Sequence, residues 1–287
     1  MRLVLTGATG FLGAAAARAF GAAGHEVVPF ARSLGHDLGT GQAVPAIVAA
    51  APDAIVHLAG RTFVPESWRE PALFVRDNVM ATQEVLDACR LTGASLLHVS
   101  AYVYGQPCYL PIDERHPVAP GTPYAHSKWL AEELCRFQAG AFGVPLTVLR
   151  PFNIYGPGQR PPMLVADLAS QLLRDGRMKV LDLEPRRDFL HVDDFSAALV
   201  RILDAGAWGH TFNVGSGRSH SVREVVEILA AAWPGGADWA CSEQVRPAEV
   251  PDVVADCGAL RDVVGWAPSV TFEKGLQAMI REMQVPA

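Results

Sequence analysis

Arg2-Leu3-Val4-Leu5-Thr6-Gly7-Ala8-Thr9-Gly10-Phe11-Leu12-Gly13 is the stretch from which the fold is read. Arg2 to Leu5 is the short apolar run of a buried parallel strand. Thr6 to Gly13 then turns tightly into an Ala-rich helical stretch, Ala14 to Ala23. Glycines at 7, 10 and 13 leave G-x-x-G-x-x-G, a close variant of the dinucleotide fingerprint. A Cβ here would obstruct the turn, the approach of backbone N–H groups to a pyrophosphate, or helix–strand packing. The helix start also aims its partial positive charge at such phosphates. Glycine turns occur without ligands too, but here a strand precedes, a helix follows, and His25 to Phe30 reads as a second strand. A signal peptide is rejected, because the apolar run breaks at Thr6-Gly7 and no h-region follows.

Strand and helix patterns keep alternating up to Arg150. Helical stretches are read around Ala43 to Ala51, Pro71 to Thr92 and Pro123 to Phe137, and strands at Asp53 to Gly60, Ser95 to Ser100 and Pro145 to Arg150. This βαβ rhythm predicts an α/β fold, a Rossmann-type doubly wound parallel sheet with ligands at the carboxyl ends of its strands. After Arg150 the rhythm becomes irregular. Asn153 to Pro162 reads as a Gly/Pro-rich loop and Leu164 to Arg174 as a helix. Short strands follow near Met178 to Leu181 and Phe189 to Val192, then a strand at His210 to Val214 and a helix at Val222 to Trp233. The expected organisation is a cofactor domain over 1–151 and a smaller, interleaved α/β substrate domain over 152–287. Segments near 177–213 are expected to return to the first domain.

Composition narrows the function classes. With 287 residues there is ample length for a buried core, and 50% hydrophobic with 19% charged residues is the balance of a globular protein. No apolar run approaches the roughly 20 residues of a membrane span. A net charge of −6 without basic clusters argues against nucleic acid, so an anionic substrate must be held by local arginines. Five cysteines without C-x-x-C spacing suit a reducing cytoplasm and suggest neither a disulfide framework nor a metal site.

Tyr124-Ala125-His126-Ser127-Lys128 is the second informative stretch. Thr122 suits the N-cap and Pro123 the first helical position. A spacing of four puts Tyr124 and Lys128 on one helix face. A free phenol near pKa 10 is a poor acid–base catalyst, and a neighbouring ammonium would bring it towards neutrality. Ser100, where a buried strand runs out, is placed to hydrogen-bond a substrate oxygen beside Tyr124.

With these pieces in order the chain resembles an extended short-chain dehydrogenase/reductase of the nucleotide-sugar epimerase/dehydratase/reductase branch, over essentially its full length. The matching pieces are Gly7-x-x-Gly10-x-x-Gly13, Asp37-Leu38, His57-Leu58-Ala59, Asn78-Val79, Ser100-x-x-Val103-Tyr104-Gly105, Tyr124-x-x-x-Lys128, Arg150-Pro151-Phe152-Asn153, Arg187-Asp188-Phe189 and Arg246-Pro247. The resemblance implies Tyr124 as general acid/base, Lys128 as its electrostatic partner and ribose ligand, and Ser100 as polariser of the reacting oxygen. It implies cofactor contacts from Gly7, Gly10, Phe11, Leu12, Gly13, Asp37 (at the adenine), Leu38, Leu58, Ala59, Gly60, Asn78, Tyr124, Lys128 and Pro151. Asn153, Arg187 and Arg246 would hold a nucleotide diphosphate, Arg pairing with phosphate bidentately. A homodimer through the 71–92 helix and the Tyr124 helix is expected as in relatives.

Two departures from the family pattern narrow the reaction. NAD-using members usually place Asp where this chain has Ala31, and here Arg32 and Ser33 follow, which is what a 2′-phosphate requires. NADP(H) is therefore favoured, with NAD(H) the alternative. The 4,6-dehydratases carry Asp-Glu where this chain has Ala101-Tyr102, so elimination of water lacks its acid and base. The reading is reduction of a nucleoside-diphosphate 4-keto-6-deoxy sugar, Tyr124 protonating the nascent alkoxide as hydride arrives from the nicotinamide. Its alternatives are a nucleotide-sugar 4-epimerase with tightly bound NAD, a reductase of a non-nucleotide carbonyl, and a non-catalytic nucleotide sensor.

Overall fold

The structure, a computed structural model, describes residues 1–244 and 249–284. Strands β1 (Arg2–Thr6), β2 (Glu26–Phe30), β3 (Ala54–His57), β4 (Ser95–Val99) and β5 (Leu146–Pro151) are joined by β9 (His210–Val214) in one parallel sheet, ordered β2-β1-β3-β4-β5-β9. Both faces are covered, which is why these strands read as unbroken apolar runs. The period-two alternation sorts them: Leu3 and Leu5 face α1 (Phe11–Ala22) and α8 (Val192–Ala205), packing with Phe20, Phe195 and Leu199. Val4 and Ile55 face the other way, with Ile47 of α2 (Val44–Ala49), Leu86 of α5 (Ala81–Thr92) and Cys135 of α6 (Pro123–Phe142). The strand order reverses between β1 and β3, and the crevice at their carboxyl ends is where such sheets bind ligands.

Short helices α3 (Val64–Arg69) and α4 (Pro71–Phe74) lead into α5, and Val75–Met80 between them is a π-helical turn, so the run expected as one α-helix from Pro71 carries a local widening. The second half builds two small sheets. One is ordered β10-β8-β6, from β6 (Asn153–Tyr155), β8 (Arg186–His191) and β10 (Ser219–Ser221); the other pairs β7 (Arg177–Val180) with β11 (Asp238–Cys241). They share a core with α7 (Leu164–Asp175), α9 (Val222–Ala232) and α11 (Phe272–Gln284), centred on Leu168, Val226, Phe272 and Leu276. Helix α10 (Gly258–Val264) instead sends Leu260 into the core of the large sheet.

Two expectations are corrected. Asn153 to Tyr155 is a strand, because it runs parallel to β8 from Asn153↔Phe189 to Tyr155↔His191, and the loop begins only at Gly156. Of the segments near 177–213, β7 and β8 stay in the small sheets, and it is α8 and β9 that return to the large one. Among the described residues no helix is long and apolar enough to cross a membrane, and no group of His, Cys, Asp or Glu is arranged to hold a metal ion.

Candidate active site

The site starts where β1 ends. Gly7 has φ +70°, and a Cβ there would lie 2.8 Å from the Ala59 nitrogen, so the turns after β1 and β3 touch at the crevice. Gly10 N–H donates to the Gly7 carbonyl at 2.9 Å, closing the turn. A Cβ on Gly13 would collide with that same carbonyl and come within 2.8 Å of Ala8 Cα. Gly10 caps α1 with no side-chain bond, and the first helical turn holds no acidic residue. The first-turn N–H groups, from Phe11, Leu12 and Gly13, are thus presented to an anion.

In front of them opens a cavity of about 400 Å³, lined by Gly7, Gly10, Arg32, Ser33, Asp37, Leu38, Leu58, Ala59 and Gly60 among the residues expected there. A turn whose backbone leaves no room for a Cβ at Gly7 or Gly13, facing an uncapped helix start, fits a dinucleotide. The sequence reading did not single out Thr9, His36, Arg61 or Asp77, which line it as well. Asp77 is the electrostatic hub of this end: its carboxylate accepts from Arg76 Nε at 2.6 Å, Arg61 Nε at 2.7 Å and Arg32 Nη2 at 3.2 Å. Burial pushes Asp77 up, but the three guanidiniums outweigh it and hold the carboxyl below its ordinary range. Asp37, expected at the adenine, accepts from Arg32 Nε at 2.7 Å. Ser33 Oγ lies 2.9 Å from Thr9 Oγ1.

The cavity floor is tied to the sheet by a directional chain. Ala59 N–H donates to Thr6 Oγ1 (3.2 Å), Thr6 Oγ1 lies 2.7 Å from His57 Nδ1, and His57 Nε2 lies 3.1 Å from Thr82 Oγ1, which itself donates to Asn78 O at 2.6 Å. Burial lowers His57 to about 3, so its imidazole is neutral, donating from Nε2 and accepting at Nδ1. Asn78 is buried, with both ends of its amide in use: Arg61 N–H donates to Oδ1 at 2.8 Å, and Nδ2 donates to Ser127 Oγ at 2.8 Å. Ser127 Oγ in turn donates to the Tyr124 carbonyl at 2.8 Å. Asn78 therefore couples the turn at Gly60 to the first turn of the tyrosine helix.

That helix starts as its sequence demands: Pro123 is the first helical residue, and Ala125 N–H donates to Thr122 Oγ1 at 3.1 Å. The cap contributes about 1 kcal/mol. Lys128 is buried, and its ammonium donates to the Val99 carbonyl at 2.6 Å, pinning α6 to the residue before Ser100. Ser100 Oγ is buried with no hydrogen-bond partner among the described residues. A buried hydroxyl without a partner at a strand end is what a substrate oxygen would satisfy.

The expected pull of Lys128 on Tyr124 is corrected. Burial pushes the phenol up to about 12, while the ammonium, turned to Val99, is itself brought down by burial to about 8. The chain alone thus holds Tyr124 in its acid form. The Lys128 shift has a measurable sign. Between about 8 and the ordinary lysine value the unfolded chain carries a proton that the folded chain has given up, so stability rises with pH across that window. The destabilisation, about 3 kcal/mol, is fully present below the window. Urea unfolding from pH 7.5 to 10 is expected to show the difference in stability between wild type and Lys128→Met rising with pH, while the buried thiols of Cys89, Cys135 and Cys257, raised by burial, pull both proteins the other way.

Beyond Ser100, Tyr102 stacks edge-on against Tyr104 and Phe152, with ring centroids 5.6 and 5.4 Å apart, and donates to the Gly105 carbonyl at 2.6 Å. Pro151 ends β5 in the core, and Asn153 Nδ2 donates to the Asp188 carbonyl at 3.4 Å. Arg187 bonds Glu249 and the carbonyls of Arg186 and Val250. Asp188, fully buried, accepts from the backbone N–H groups of Ser216, Gly217 and Ala255 at 2.6, 3.0 and 2.9 Å, clamping the 249–256 strap to β8. Arg246 lies outside the described residues.

Residues 3–215 match the NAD dependent epimerase/dehydratase family. The chain belongs to this family. Within it, the chain is 35% identical to the GDP-6-deoxy-D-mannose reductase of Pseudomonas aeruginosa, over 99% of this chain and 97% of that protein. It superposes on the structure of RMD from Pseudomonas aeruginosa complexed with NADPH with a TM-score of 0.90 at 33% identity, covering 98% of both chains. It superposes on the Thermus thermophilus UDP-glucose 4-epimerase complex with NAD with a TM-score of 0.89 at 27% identity, covering 99% of both. The protein is thus an NAD(P)-dependent oxidoreductase or epimerase of the extended short-chain dehydrogenase/reductase type.

Proposed function

We propose that the protein is an NADPH-dependent reductase of a nucleoside-diphosphate 4-keto-6-deoxy sugar, acting in the cytoplasm. The observation that carries this reading is the end of β2, where Ala31 leaves no carboxylate and Arg32 and Ser33 line the cavity. A 2′-phosphate would take Arg32 from Asp37 and Asp77, trading carboxylate for a more highly charged partner. Arg61, on the same cavity, is a second cation within this end. Likeness to the GDP-6-deoxy-D-mannose reductase and to an NADPH complex supports the same choice.

A bound nicotinamide supplies the hydride. Tyr124, kept protonated by burial, then gives its proton to the oxygen that becomes the hydroxyl, and Ser100 Oγ donates a hydrogen bond to that oxygen. Lys128 would have to turn from the Val99 carbonyl to offset the phenolate left behind.

The test is cofactor stoichiometry with freshly made 4-keto-6-deoxy sugars of GDP, UDP and dTDP. One NADPH consumed per product is expected, and isomer exchange without net oxidation of cofactor would establish the epimerase instead. In the same assay Arg32→Ala is expected to raise KM for NADPH about 30-fold and leave KM for NADH nearly unchanged, the size of one charge-assisted hydrogen bond.

We also infer a homodimer. Met80 and Leu91 on the α5 run, and Leu130 and Phe137 on α6, leave large apolar side chains in water, Leu91 and Phe137 being 69% and 68% exposed. These helices pack side by side, Gln138 donating to Gln83 at 2.8 Å. Light scattering is expected to return twice the 30.7 kDa chain mass, and Phe137→Glu to return the single mass.

A further inference from the structure

We propose that Tyr102 is a specificity-determining residue whose ring walls the C5–C6 edge of the bound sugar and admits a C6 methyl in preference to a C6 hydroxymethyl. This rests on the reading of the protein as a reductase of 4-keto-6-deoxy sugar nucleotides, with Arg187 at the diphosphate.

Tyr102 stands two residues past Ser100 and is half-buried, where its neighbours Ala101 and Val103 are buried. Its side chain is fixed at both ends. The ring meets Tyr104 and Phe152 edge-on, at 72° and 77°, and the phenol donates to the Gly105 carbonyl at 2.6 Å. Both supports are held in turn. Tyr104 is fully buried, donating to Asn213 Oδ1 at 2.6 Å and accepting from Arg150 Nη1 at 2.9 Å. Gly105 has φ +68°, and a Cβ on it would strike the Ala119 carbonyl, so the turn carrying the accepting carbonyl is closed. Burial pushes the Tyr102 phenol above the ordinary tyrosine value, against the pull of the Arg187 guanidinium. The hydroxyl keeps its proton and spends it on backbone, so what Tyr102 offers the site is an apolar ring.

Two contacts across the sugar ring locate that wall. A 4-keto hexose nucleotide is held at its C4 oxygen beside Ser100 and at its C1 diphosphate by Arg187. Tyr102 belongs to the segment leaving Ser100, and it packs on Phe152, which leads into β6 alongside β8, the strand of Arg187. The ring of Tyr102 therefore follows one edge of the sugar between C4 and C1. A pyranose has two such edges. One carries the C2 and C3 hydroxyls, which would give up water against a surface with no free donor or acceptor. The other carries the ring oxygen and C6, and in a 6-deoxy sugar C6 is a methyl, which gains by burial there. A hydroxyl on C6 would be desolvated on the same wall with nothing to bond.

The test is kcat/KM for NADPH-dependent reduction of the 4-keto-6-deoxy and 4-keto-6-hydroxy forms of the same sugar, linked to GDP, UDP or dTDP, by wild type, Tyr102→Phe, Tyr102→Asn and Tyr102→Ser. Wild type is expected to prefer the 6-deoxy form about 30-fold, the cost of burying one hydroxyl without a partner. Tyr102→Phe keeps the ring and is expected to keep that ratio. The two polar variants supply a bonding group and room for water, and are expected to bring the ratio below about fivefold, chiefly by raising turnover of the 6-hydroxy form. Loosened packing alone would slow both forms together and leave the ratio where it was. A wild-type ratio near or below one, a ratio unchanged in both polar variants, or a ratio lost in Tyr102→Phe overturns the wall and leaves the reductase standing. No reduction of either form by any of the four proteins overturns the reductase reading and the wall with it.

Discussion

Tyr124→Phe is expected to lower kcat for sugar reduction by about 10³-fold while NADPH binding and the thermal midpoint are retained. The substitution removes one oxygen and little else. The ring keeps its edge-on contact with Phe74, whose centroid is 6.3 Å away, and the Thr122 cap and the Lys128 bond to Val99 do not involve the phenol. What disappears is the proposed proton donor, and a positioned proton donor contributes on the order of 10²–10⁴ in rate. Stopped-flow reduction with a 4-keto sugar nucleotide, set beside NADPH titration by fluorescence, separates the two effects. A variant that turns over at the wild-type rate would remove the phenol from the chemistry.

Gly13→Ala is expected to weaken NADPH binding by at least about 100-fold and to destabilise the protein by about 2 kcal/mol, the cost of forcing a methyl into a filled space. The added carbon would strike the Gly7 carbonyl and crowd Ala8 Cα at 2.8 Å, all backbone, so nothing can swing aside. Relief requires α1 to lift off the turn, and that withdraws the first-turn N–H groups from the phosphates they face. Gly21→Ala, in the same helix, is the control. A Cβ there meets nothing within 4 Å, so it should leave binding alone and add about 0.5–1 kcal/mol of stability through helix propensity. Parallel denaturant melts and cofactor titrations of the two variants would expose a general intolerance of α1 to alanine, if that were the cause.

The contrast between these glycines shows how far local sequence reaches. Gly13 is distinguished from Gly21 by its spacing from Gly7 and Gly10, which is visible in the chain. The β-strands before Arg150 are legible for a similar reason: buried on both faces, they have little room for polar residues. The second half is harder. Asn153-Ile154-Tyr155 becomes a strand only because β8, more than thirty residues later, lies alongside it. Helix α8 begins one residue after a strand ends, with His191 Nδ1 accepting from Asp193 N–H as its cap, so no breaker separates the two patterns. Helices α10 and α11 pack on cores built by segments distant in the chain, which their own sequence does not reveal.

The sequence by itself determined the parallel sheet, the glycine turn, the place of Ser100, and the shared helix face of Tyr124 and Lys128. Each of these follows from contacts within one turn or one strand, where spacing and stereochemistry leave few alternatives. Only the tertiary structure decided which charges meet: Asp77 gathering three arginines, Lys128 turned to Val99, and Arg187 held by Glu249, 62 residues along the chain. Ionisation and ion pairing depend on through-space distance and on exclusion of water, which residues acquire only once distant segments have packed together.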